Sequence, residues 1–511
     1  MADGLIGEGS ANGKQYPGKL TFRALMSCII AAFGGLLKTW LGGVTSMSPF
    51  LKKFFPNVYA KKLNVKPSEN LYCTFDSQVL TIFISSLYLA AFVASLCASS
   101  ITRIFGRRLT MLSGGILFLA GAGFNAFAQK VWMLIVGRML LGFGIGCANQ
   151  SVPIYVSEVA PHKYRGALNM MFQLAITIGI FVANVLNCFF VTMNNGEGWR
   201  YSLGFAAVPA VMIVIGAIFL PDSPSSLIER GKNEKAKQEL IKMRGTTDVD
   251  EEFNDLVEAS ESPRSVKNPW ATLLKRHYRP QLVIAIAIPL FQQLTGVNVI
   301  TFYAPVLFRA VGFSSEPSCL LASMVIAIFN ALATFILIFT VNKIGRRKLF
   351  FGGGAQMFIC QIVLTTAIAS EFGIDGNPES LTTLYVVFVV SFICFYVMGF
   401  AWSWAPLGWL IPLFPLEVRP AAQSIIVSVS MIFNFVIAQV FTSMFCHIKF
   451  GLFIIFAFFV LVMSGFIYIF LPEIKGAPIE VVWQNHFYWK KFVKSASAAS
   501  EEVNTNVDNS C

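Results

Sequence analysis

The chain has 511 residues, of which 55% are hydrophobic and only 13% are charged, whereas about a quarter of the residues in a soluble domain are charged. This composition excludes a water-soluble globular protein, because too few polar side chains are available to cover its surface. The net charge of +12 does not indicate nucleic-acid binding, since membrane proteins keep basic residues in their cytoplasmic links.

Apolar stretches of about 20 residues, enough for a helix to cross a hydrocarbon core, recur along almost the whole chain. They are too long for barrel strands and lack strict alternation of polar and apolar residues. We therefore predict an all-α membrane protein with about 12 transmembrane helices in the lipid bilayer. The expected spans of the first half are residues 21–47, 76–100, 109–128, 131–156, 167–193 and 200–220. Those of the second half are residues 280–310, 318–341, 348–370, 384–412, 421–446 and 450–471.

A repeated motif divides these spans into two groups of six. The sequence FGRR at residues 105–108 follows the second span, and IGRR at residues 344–347 follows the eighth. Two related bundles are therefore expected. The predicted domains are a tail at residues 1–20, a first bundle at 21–220 with a loop at 48–75, a linker at 221–279 with short helices, a second bundle at 280–471 and a tail at 472–511.

The distribution of basic residues predicts the orientation. Both arginine motifs and the basic linker should face the cytoplasm, which places both termini there as well. The link that contains Glu371, Asp375 and Glu379 has neither Lys nor Arg and should face the exterior. The loop at residues 48–75 is an exception, because it carries five lysines and yet must lie outside if the number of spans is right.

Further motifs occur in a fixed order between residues 18 and 480. GRMLLGFGIGCANQSVPIYVSEVAP begins at Gly137, PDSPSSLIERG at Pro221, FQQLTGVNVITFYAP at Phe291 and WSWAPLGW at Trp402. With the two arginine motifs, these sequences make the chain resemble the plant monosaccharide/proton symporters among the sugar porters of the major facilitator superfamily. The resemblance implies a monomeric plasma-membrane carrier, with two six-helix bundles that import hexoses together with protons by alternating access.

Amide side chains predict the substrate site, because they both donate and accept hydrogen bonds as the hydroxyls of a neutral hexose require. Gln292, Gln293 and Asn298 are spaced to share one face of the seventh span. Hydrogen bonding between helices is the alternative role for these amides, and an anchor at the membrane interface is the alternative for Trp409. The resemblance assigns sugar contacts to Gln173, Gln292, Gln293, Asn298, Asn330 and Trp409.

Charged residues at the cytoplasmic ends of the spans are expected to latch the two bundles together while the site is open to the outside. Their alternative role is to orient the spans in the membrane. The predicted latch consists of Arg107, Arg108, Glu158, Arg165, Arg346, Arg347, Glu417 and Arg419.

Two of the ten cysteines, Cys73 and Cys446, fall at predicted exterior ends of spans, where an oxidising environment allows a disulfide. Cys319 is the competing partner. The resemblance implies a bridge that ties a lid, formed by residues 48–75, to the second bundle. No cofactor, metal site or catalytic constellation is predicted, so we do not expect an enzyme.

The chain departs from the family pattern in two places. Its first span reads GGLLKTWLGGVTSM at residues 34–47, four residues shorter than the family sequence and without the acidic partner of Arg138. Its tenth span reads GWLIPLFPLEVR at residues 408–419, shorter than the family sequence and without a glutamate. Proton coupling requires a titratable group in the membrane. An uncoupled hexose facilitator and a non-transporting sugar-binding relative are therefore alternatives to the symporter.

Overall fold

The computed structural model describes most of the chain in separate stretches. The regular structure in these stretches is helical, without strands. A bilayer favours this outcome because a helix satisfies its own backbone hydrogen bonds. The predicted all-α membrane fold is therefore confirmed. The described residues are 20–38, 44–63, 77–161, 164–193, 196–265, 269–297, 300, 316–344, 346–372, 383–404, 414, 418–448, 451–471 and 489.

The helices of the first half are mostly long and apolar, with two short helices after the first span. They are α1 (Phe22–Ala32), α2 (Ser48–Phe54), α3 (Pro56–Leu63), α4 (Gln78–Phe105), α5 (Arg107–Ala126), α6 (Val131–Val159), α7 (Arg165–Val191), α8 (Gly198–Phe205) and α9 (Ala207–Phe219).

The linker contributes four shorter helices, and the second half again has long apolar ones. The linker helices are α10 (Pro224–Glu229), α11 (Asn233–Arg244), α12 (Asp250–Ser265) and α13 (Pro269–Leu273). The helices of the second half are α14 (Arg279–Leu294), α15 (Glu316–Ile344), α16 (Arg346–Phe372), α17 (Thr383–Ser403), α18 (Arg419–Ile448) and α19 (Gly451–Phe470).

Ten helical segments within the described stretches are long and apolar enough to cross a membrane. They coincide with ten of the expected spans, and the prediction of a multi-pass membrane protein is confirmed. The first and seventh spans are represented by the shorter helices α1 and α14. The ten segments are α4, α5, α6, α7, α8 together with α9, α15, α16, α17, α18 and α19.

The first span is not the continuous α-helix that its sequence suggests. It is α-helical only to Ala32 and continues as a 3₁₀ helix over Phe33–Lys38. In this segment Gly35 lies against the backbone of α7, where an added Cβ atom would be 2.6 Å from the carbonyl oxygen of Phe172. The 3₁₀ geometry therefore occurs where the shortened first span meets α7.

Two large clusters of buried apolar side chains hold the helices together. One is drawn mainly from the first half and contains Phe118 and Tyr155, and the other is drawn mainly from the second half and contains Tyr396 and Phe453. Within the first cluster α5 and α6 approach closely, because a Cβ atom on Gly144 would be 2.6 Å from a carbonyl oxygen of α5. Small residues provide such close packing in membranes, where the hydrophobic effect does not drive helix association.

The two halves meet where α4 packs against α18 and α7 packs against α15. Polar side chains line the contact between α4 and α18. The hydroxyls of Ser95 and Ser428 are 2.7 Å apart, and the hydroxyl of Ser424 donates to the carbonyl of Ser95 at 2.7 Å. The amide of Gln439 donates to the hydroxyl of Ser85 at 2.5 Å. We call this contact the seam.

Helices α2 and α3 cover one end of the first bundle, which we call the lid end. Their aromatic side chains pack against α4 and α8. The ring centroid of Phe50 is 5.7 Å from that of Phe83 and 5.8 Å from that of Trp199. Phe54 contacts Trp199 edge to face at 5.1 Å. The described part of residues 48–75 thus packs on the bundle through aromatic side chains, and its role as a lid stays a prediction.

The linker helices lie at the opposite end, which we call the linker end. The hydroxyl of Thr21, just before α1, donates to the carbonyl of Met243 at 2.7 Å. Arg23 forms an ion pair with Glu239 at 2.8 Å. Helix α11 is therefore attached directly to the start of the first span.

Candidate substrate site and charged ends

Two predicted sugar-binding residues, Gln292 and Gln293, lie buried in the last turn of α14. The amide of Gln292 donates to the carbonyl of Trp404 at 2.9 Å, and the amide of Gln293 contacts the oxygen of Gln292 at 3.4 Å. The two amides therefore lie where α14 meets the end of α17. This is a polar position inside an otherwise apolar bundle.

Helix α14 stops within the bundle, and its terminal carbonyl is bound by neighbouring helices. The phenolic hydroxyl of Tyr396 donates to the carbonyl of Thr295 at 2.5 Å, and the amide of Gln361 donates to the same oxygen at 3.2 Å. Gly296 follows with φ of +81°, a conformation that glycine adopts without steric cost. A break of this kind inside a membrane supplies polar groups to a binding site.

Asn330 lies near the middle of α15 and is buried. Its Oδ1 atom has no hydrogen-bond partner among the residues that the structure describes. The asparagine therefore keeps an unused acceptor in the interior of the protein, as a site for a hydroxylated ligand requires.

Gln173 on α7 is half-buried. Its level along the neighbouring helix α15 follows from a contact three turns away on α7. The side-chain amide of Asn184 donates to the carbonyl of Ser323 at 3.3 Å, which fixes the register of α7 against α15. Eleven residues separate Gln173 from Asn184, and eleven separate Ser323 from Thr334. Because the helices run in opposite directions, Gln173 lies at the level of Thr334, about one turn from Asn330. Asn298 and Trp409 lie outside the described residues.

Arg138 is buried in the first bundle with 1% of its surface exposed. Its guanidinium carbon lies 4.4 Å from the ring centroid of Phe83 on α4. An aromatic face attracts a cation, and the attraction grows when water is excluded. The sequence did not predict this contact, since Phe83 precedes Arg138 by two spans and belongs to no motif. Its role in proton coupling stays a prediction.

Arg107 forms the centre of a buried ion-pair cluster at the linker end. It binds Glu158 at 2.8 Å and Glu229 at 2.5 Å. Glu158 also accepts a hydrogen bond from the hydroxyl of Ser223. Burial alone would raise the pKa of Glu229, but the charge and hydrogen bonds of Arg107 hold this pKa below its usual range. Glu229 was missing from the predicted latch, although it belongs to the motif that begins at Pro221.

Arg108 and Arg347, the second arginines of the two motifs, bind helix ends within their own halves. Arg108 donates to the carbonyls of Ala217 at 2.9 Å and Ile218 at 2.6 Å, in the last turn of α9. Arg347 donates to the carbonyl of Tyr468 at 2.7 Å, in the last turn of α19. The repeated sequence therefore gives a repeated cap on the sixth and twelfth spans.

The charges of both halves meet around Glu158. Arg419, at the start of α18, donates to the carbonyl of Phe414, and Glu158 is the strongest charged neighbour acting on it. Arg165 is half-buried, and Arg419 and Glu158 are among the charges that act on it. A latch between the halves is consistent with this arrangement and stays a prediction. Glu417 and the side chain of Arg346 lie outside the described residues.

The predicted disulfide also lies outside the described part, because neither Cys73 nor the side chain of Cys446 is included in it. Six other cysteines are free thiols. Within the residues that the structure describes, His, Cys, Asp and Glu form no group of three that could hold a metal ion.

Two halves built from membrane-spanning helices, joined along a polar seam and holding buried amides beside a broken helix, define a multi-pass membrane transporter. The model of the family described as "Sugar (and other) transporter" matches residues 27–485. The chain belongs to this family. Its members are transporters, which supports the expectation that the chain is not an enzyme.

Known relatives refine the place of the chain within the family. It is 58% identical to Sugar transport protein 1 of Arabidopsis thaliana over 499 residues, covering 96% of this chain and 95% of that protein. It is 59% identical to Sugar carrier protein C of Ricinus communis over 501 residues, covering 96% and 95%. The resemblance to plant sugar transport proteins is thus confirmed.

The fold has a close counterpart among solved structures. The proton:xylose symporter XylE bound to 6-bromo-6-deoxy-D-glucose matches with a TM-score of 0.76 and 24% identity. The match covers 91% of this chain and 100% of that one. The predicted major facilitator fold is confirmed.

Proposed function

We propose that this protein imports hexoses across the plasma membrane by sugar/proton symport through alternating access. The observation that carries the proposal is the set of buried amides beside the broken end of α14. Gln292 donates to the carbonyl of Trp404 just after α17, Gln293 contacts Gln292, and Asn330 retains an unused acceptor. Relatives more than half identical are named as sugar transport or sugar carrier proteins, which supports a sugar as the substrate.

Amides suit a hexose because each sugar hydroxyl can donate one hydrogen bond and accept others. A charged site would favour an ion, whereas neutral amides bind a neutral polyol without requiring a counter-charge. The indole of Trp409 would cover the C–H face of the sugar, and Asn298 would complete the set of amides. These two contacts rest on the family resemblance.

The way the halves are joined supports alternating access. The seam hydrogen bonds of Ser95 and Ser424 lie toward the linker end, where α4 ends and α18 begins. They hold that end closed, and they must break for the sugar to leave. We place the linker end and both termini in the cytoplasm and the lid end outside, as the arginine motifs favour.

Proton coupling is the finer part of the proposal. A solved structure with the name of a proton symporter shares the fold, and the family resemblance implies a charge pair at the position of Arg138. The stacking of Arg138 on Phe83 provides part of the stabilisation that a carboxylate would otherwise supply. Whether a proton crosses with each sugar is decided by the uptake experiment below.

The test is uptake of radiolabelled glucose in yeast that lacks its own hexose transporters, with and without a protonophore. We expect accumulation above the external concentration that the protonophore abolishes. Equilibration that the protonophore does not affect would identify an uncoupled facilitator, and absence of hexose uptake or binding would exclude the proposal altogether.

Two variants test whether this uptake depends on the buried amides of the substrate site. Gln292→Ala should reduce hexose affinity about tenfold, since losing one buried hydrogen bond is worth about 1.4 kcal/mol. Gln238→Ala changes the same residue type on the exposed surface of α11 and should leave uptake unchanged. Equal uptake by the two variants would contradict the assigned site.

A further inference from the structure

A second group of amides lies beside the seam, where α6 meets α18, apart from the residues assigned to the substrate site. Asn149 and Gln150 lie on α6, and Gln423 lies on α18. Their exposed fractions are 9%, 0% and 4%, respectively. The amide of Gln150 donates to the carbonyl of Pro420 at 3.0 Å, and that of Gln423 donates to the carbonyl of Asn149 at 3.2 Å. Each half therefore donates a hydrogen bond to the backbone of the other.

These contacts use only part of the hydrogen-bonding capacity of the amides. The Oε1 atoms of Gln150 and Gln423 and the Nδ2 atom of Asn149 have no partner among the described residues. Two acceptors and one donor thus remain unused in the interior, although buried polar groups are normally satisfied. The hydroxyl of Ser99, which contacts the carbonyl of Pro420 at 3.5 Å, adds a further donor and acceptor.

The group lies between the substrate site and the linker end. Gln423 is four residues from the start of α18, about 6 Å along its axis. Gln292 is 13 residues from the start of α14, about 20 Å along that axis. Since both helices begin at the linker end, a sugar that leaves the substrate site toward this end must pass the level of Gln150 and Gln423.

We propose that Asn149, Gln150 and Gln423 form a second, transient hexose-binding subsite on the exit path. The inference rests on the proposed function, sugar transport, and adds a site to it. When the linker end opens, separation of the halves breaks the two bonds to backbone carbonyls. Each glutamine then offers a complete amide to the passing sugar, in addition to the atoms that are already unused.

The chemistry of the group favours a neutral polyol. Its side chains are amides and a hydroxyl, which together offer donors and acceptors without net charge. Exchange of protein–protein hydrogen bonds for protein–sugar ones would also make opening of the linker end easier while a sugar is in transit. A group that serves only to close the seam would bind water when the halves separate.

The experiment compares the two faces of the transporter in membrane vesicles of opposite orientation. For Gln423→Leu and Gln150→Leu we expect the KM for glucose to rise about tenfold at the linker-end face. Because loss of these bonds also weakens the closed linker end, the KM at the lid-end face should rise only as far as it does in Ser428→Ala, which removes one seam hydrogen bond. An unchanged KM at the linker-end face would overturn the proposal.

A panel of monodeoxyglucoses separates binding from gating. If a glutamine binds a particular sugar hydroxyl, the monodeoxyglucose that lacks this hydroxyl should show the same linker-face KM in wild type and variant. An increase of equal size for every sugar would show that only water or the seam itself is involved, and would overturn the proposal. Ser428→Ala is the matched control, because it removes a seam hydrogen bond outside the group and should show no dependence on the sugar.

Gln423→Asn is a conservative variant that keeps the proposal testable if the leucine variants fail to fold. It retains the amide and should give an intermediate linker-face KM with normal uptake at the lid end. If the wild-type protein transports no hexose at either face, the proposed function fails. If it transports hexose and none of the variants changes the linker-face KM, only the subsite fails.

Discussion

Arg138 shows how a single cation is retained inside a membrane bundle. A charged side chain within a span is costly and marks a functional position. Here the guanidinium lies on the ring of Phe83, and that ring also touches Phe50 of the lid. The environment of the cation is therefore linked to the lid by one aromatic side chain. The sequence predicted a cation without its usual acidic partner, but not the ring that accompanies it.

Replacing Phe83 tests this contact. Phe83→Leu keeps an apolar side chain but removes the aromatic face, so we expect hexose uptake to fall about tenfold, within the roughly 2 kcal/mol of a desolvated cation–π contact. Phe83→Tyr keeps the face and should retain uptake. Initial uptake rates, normalised to the amount of protein at the cell surface, provide the measurement.

The control for this prediction is Phe54→Leu. Phe54 belongs to the same aromatic cluster and contacts Phe50 and Trp199, but no contact with Arg138 is described for it. If Phe54→Leu lowers uptake as much as Phe83→Leu does, packing of the lid and not the cation–π contact is responsible.

At the scale of the element, the end of α14 determines the polar centre of the protein. The helix stops at Leu294, the carbonyl of Thr295 is bound by two neighbouring helices, and Gly296 adopts a positive φ. The sequence predicted one span from residue 280 to residue 310. It could not predict which side chains would bind the freed carbonyl, because Gln361 and Tyr396 come from other spans.

Gly296→Ala should disrupt this helix end. A left-handed conformation costs an alanine about 1–2 kcal/mol, and the new Cβ atom would overlap the ring of Phe456. We expect hexose uptake to fall more than tenfold. Gly465→Ala in α19 is the matched control, because nothing lies within 4 Å of its added Cβ atom. Normal uptake by Gly296→Ala would show that the helix end is not required.

At the scale of the whole molecule, small polar side chains join the two halves along the seam, and charged side chains lie close together at the linker end. Arg107 forms salt bridges with Glu158 and Glu229, and the charge of Glu158 influences Arg419 in the other half. The salt bridges join the first bundle to the linker, the charge of Arg419 lies near them in the second bundle, and a latch between the halves stays a prediction. Because its parts come from three regions, it can respond to a change in the distance between them.

Glu229→Gln should weaken the closed linker end, since one of the two carboxylates bound to Arg107 is lost. More molecules would then face the cytoplasm, and the KM for external hexose should rise about tenfold. Glu234→Gln on the exposed surface of α11 is the matched control and should leave this KM unchanged. An unaltered KM in both variants would contradict a role of Glu229 in closure.

The pH dependence of transport should not arise from Glu229. Its pKa is lowered, so its pair with Arg107 is present above the ordinary carboxyl pKa and is lost only as pH falls through the lower value. Between about pH 5 and pH 7 the carboxylate stays ionised. Glu229→Gln should therefore keep the wild-type shape of the pH profile of uptake, and a profile that flattens would contradict this assignment.

The sequence by itself determined the fold class and the positions of most spans, because each long apolar stretch must form a helix in a bilayer whatever surrounds it. Its ordered motifs also determined the family, and the spacing of Gln292 and Gln293 identified the polar centre. Local chemistry was sufficient for these conclusions.

Contacts between distant segments were decided by the tertiary structure alone. The ring beneath Arg138, the second carboxylate bound to Arg107 and the carbonyls capped by Arg108 and Arg347 each depend on which helices become neighbours. So do the hydrogen bonds that Gln150 and Gln423 donate to backbone carbonyls of the opposite half. Hydrophobicity places a helix in the membrane, but only packing between helices fixes which polar side chains meet.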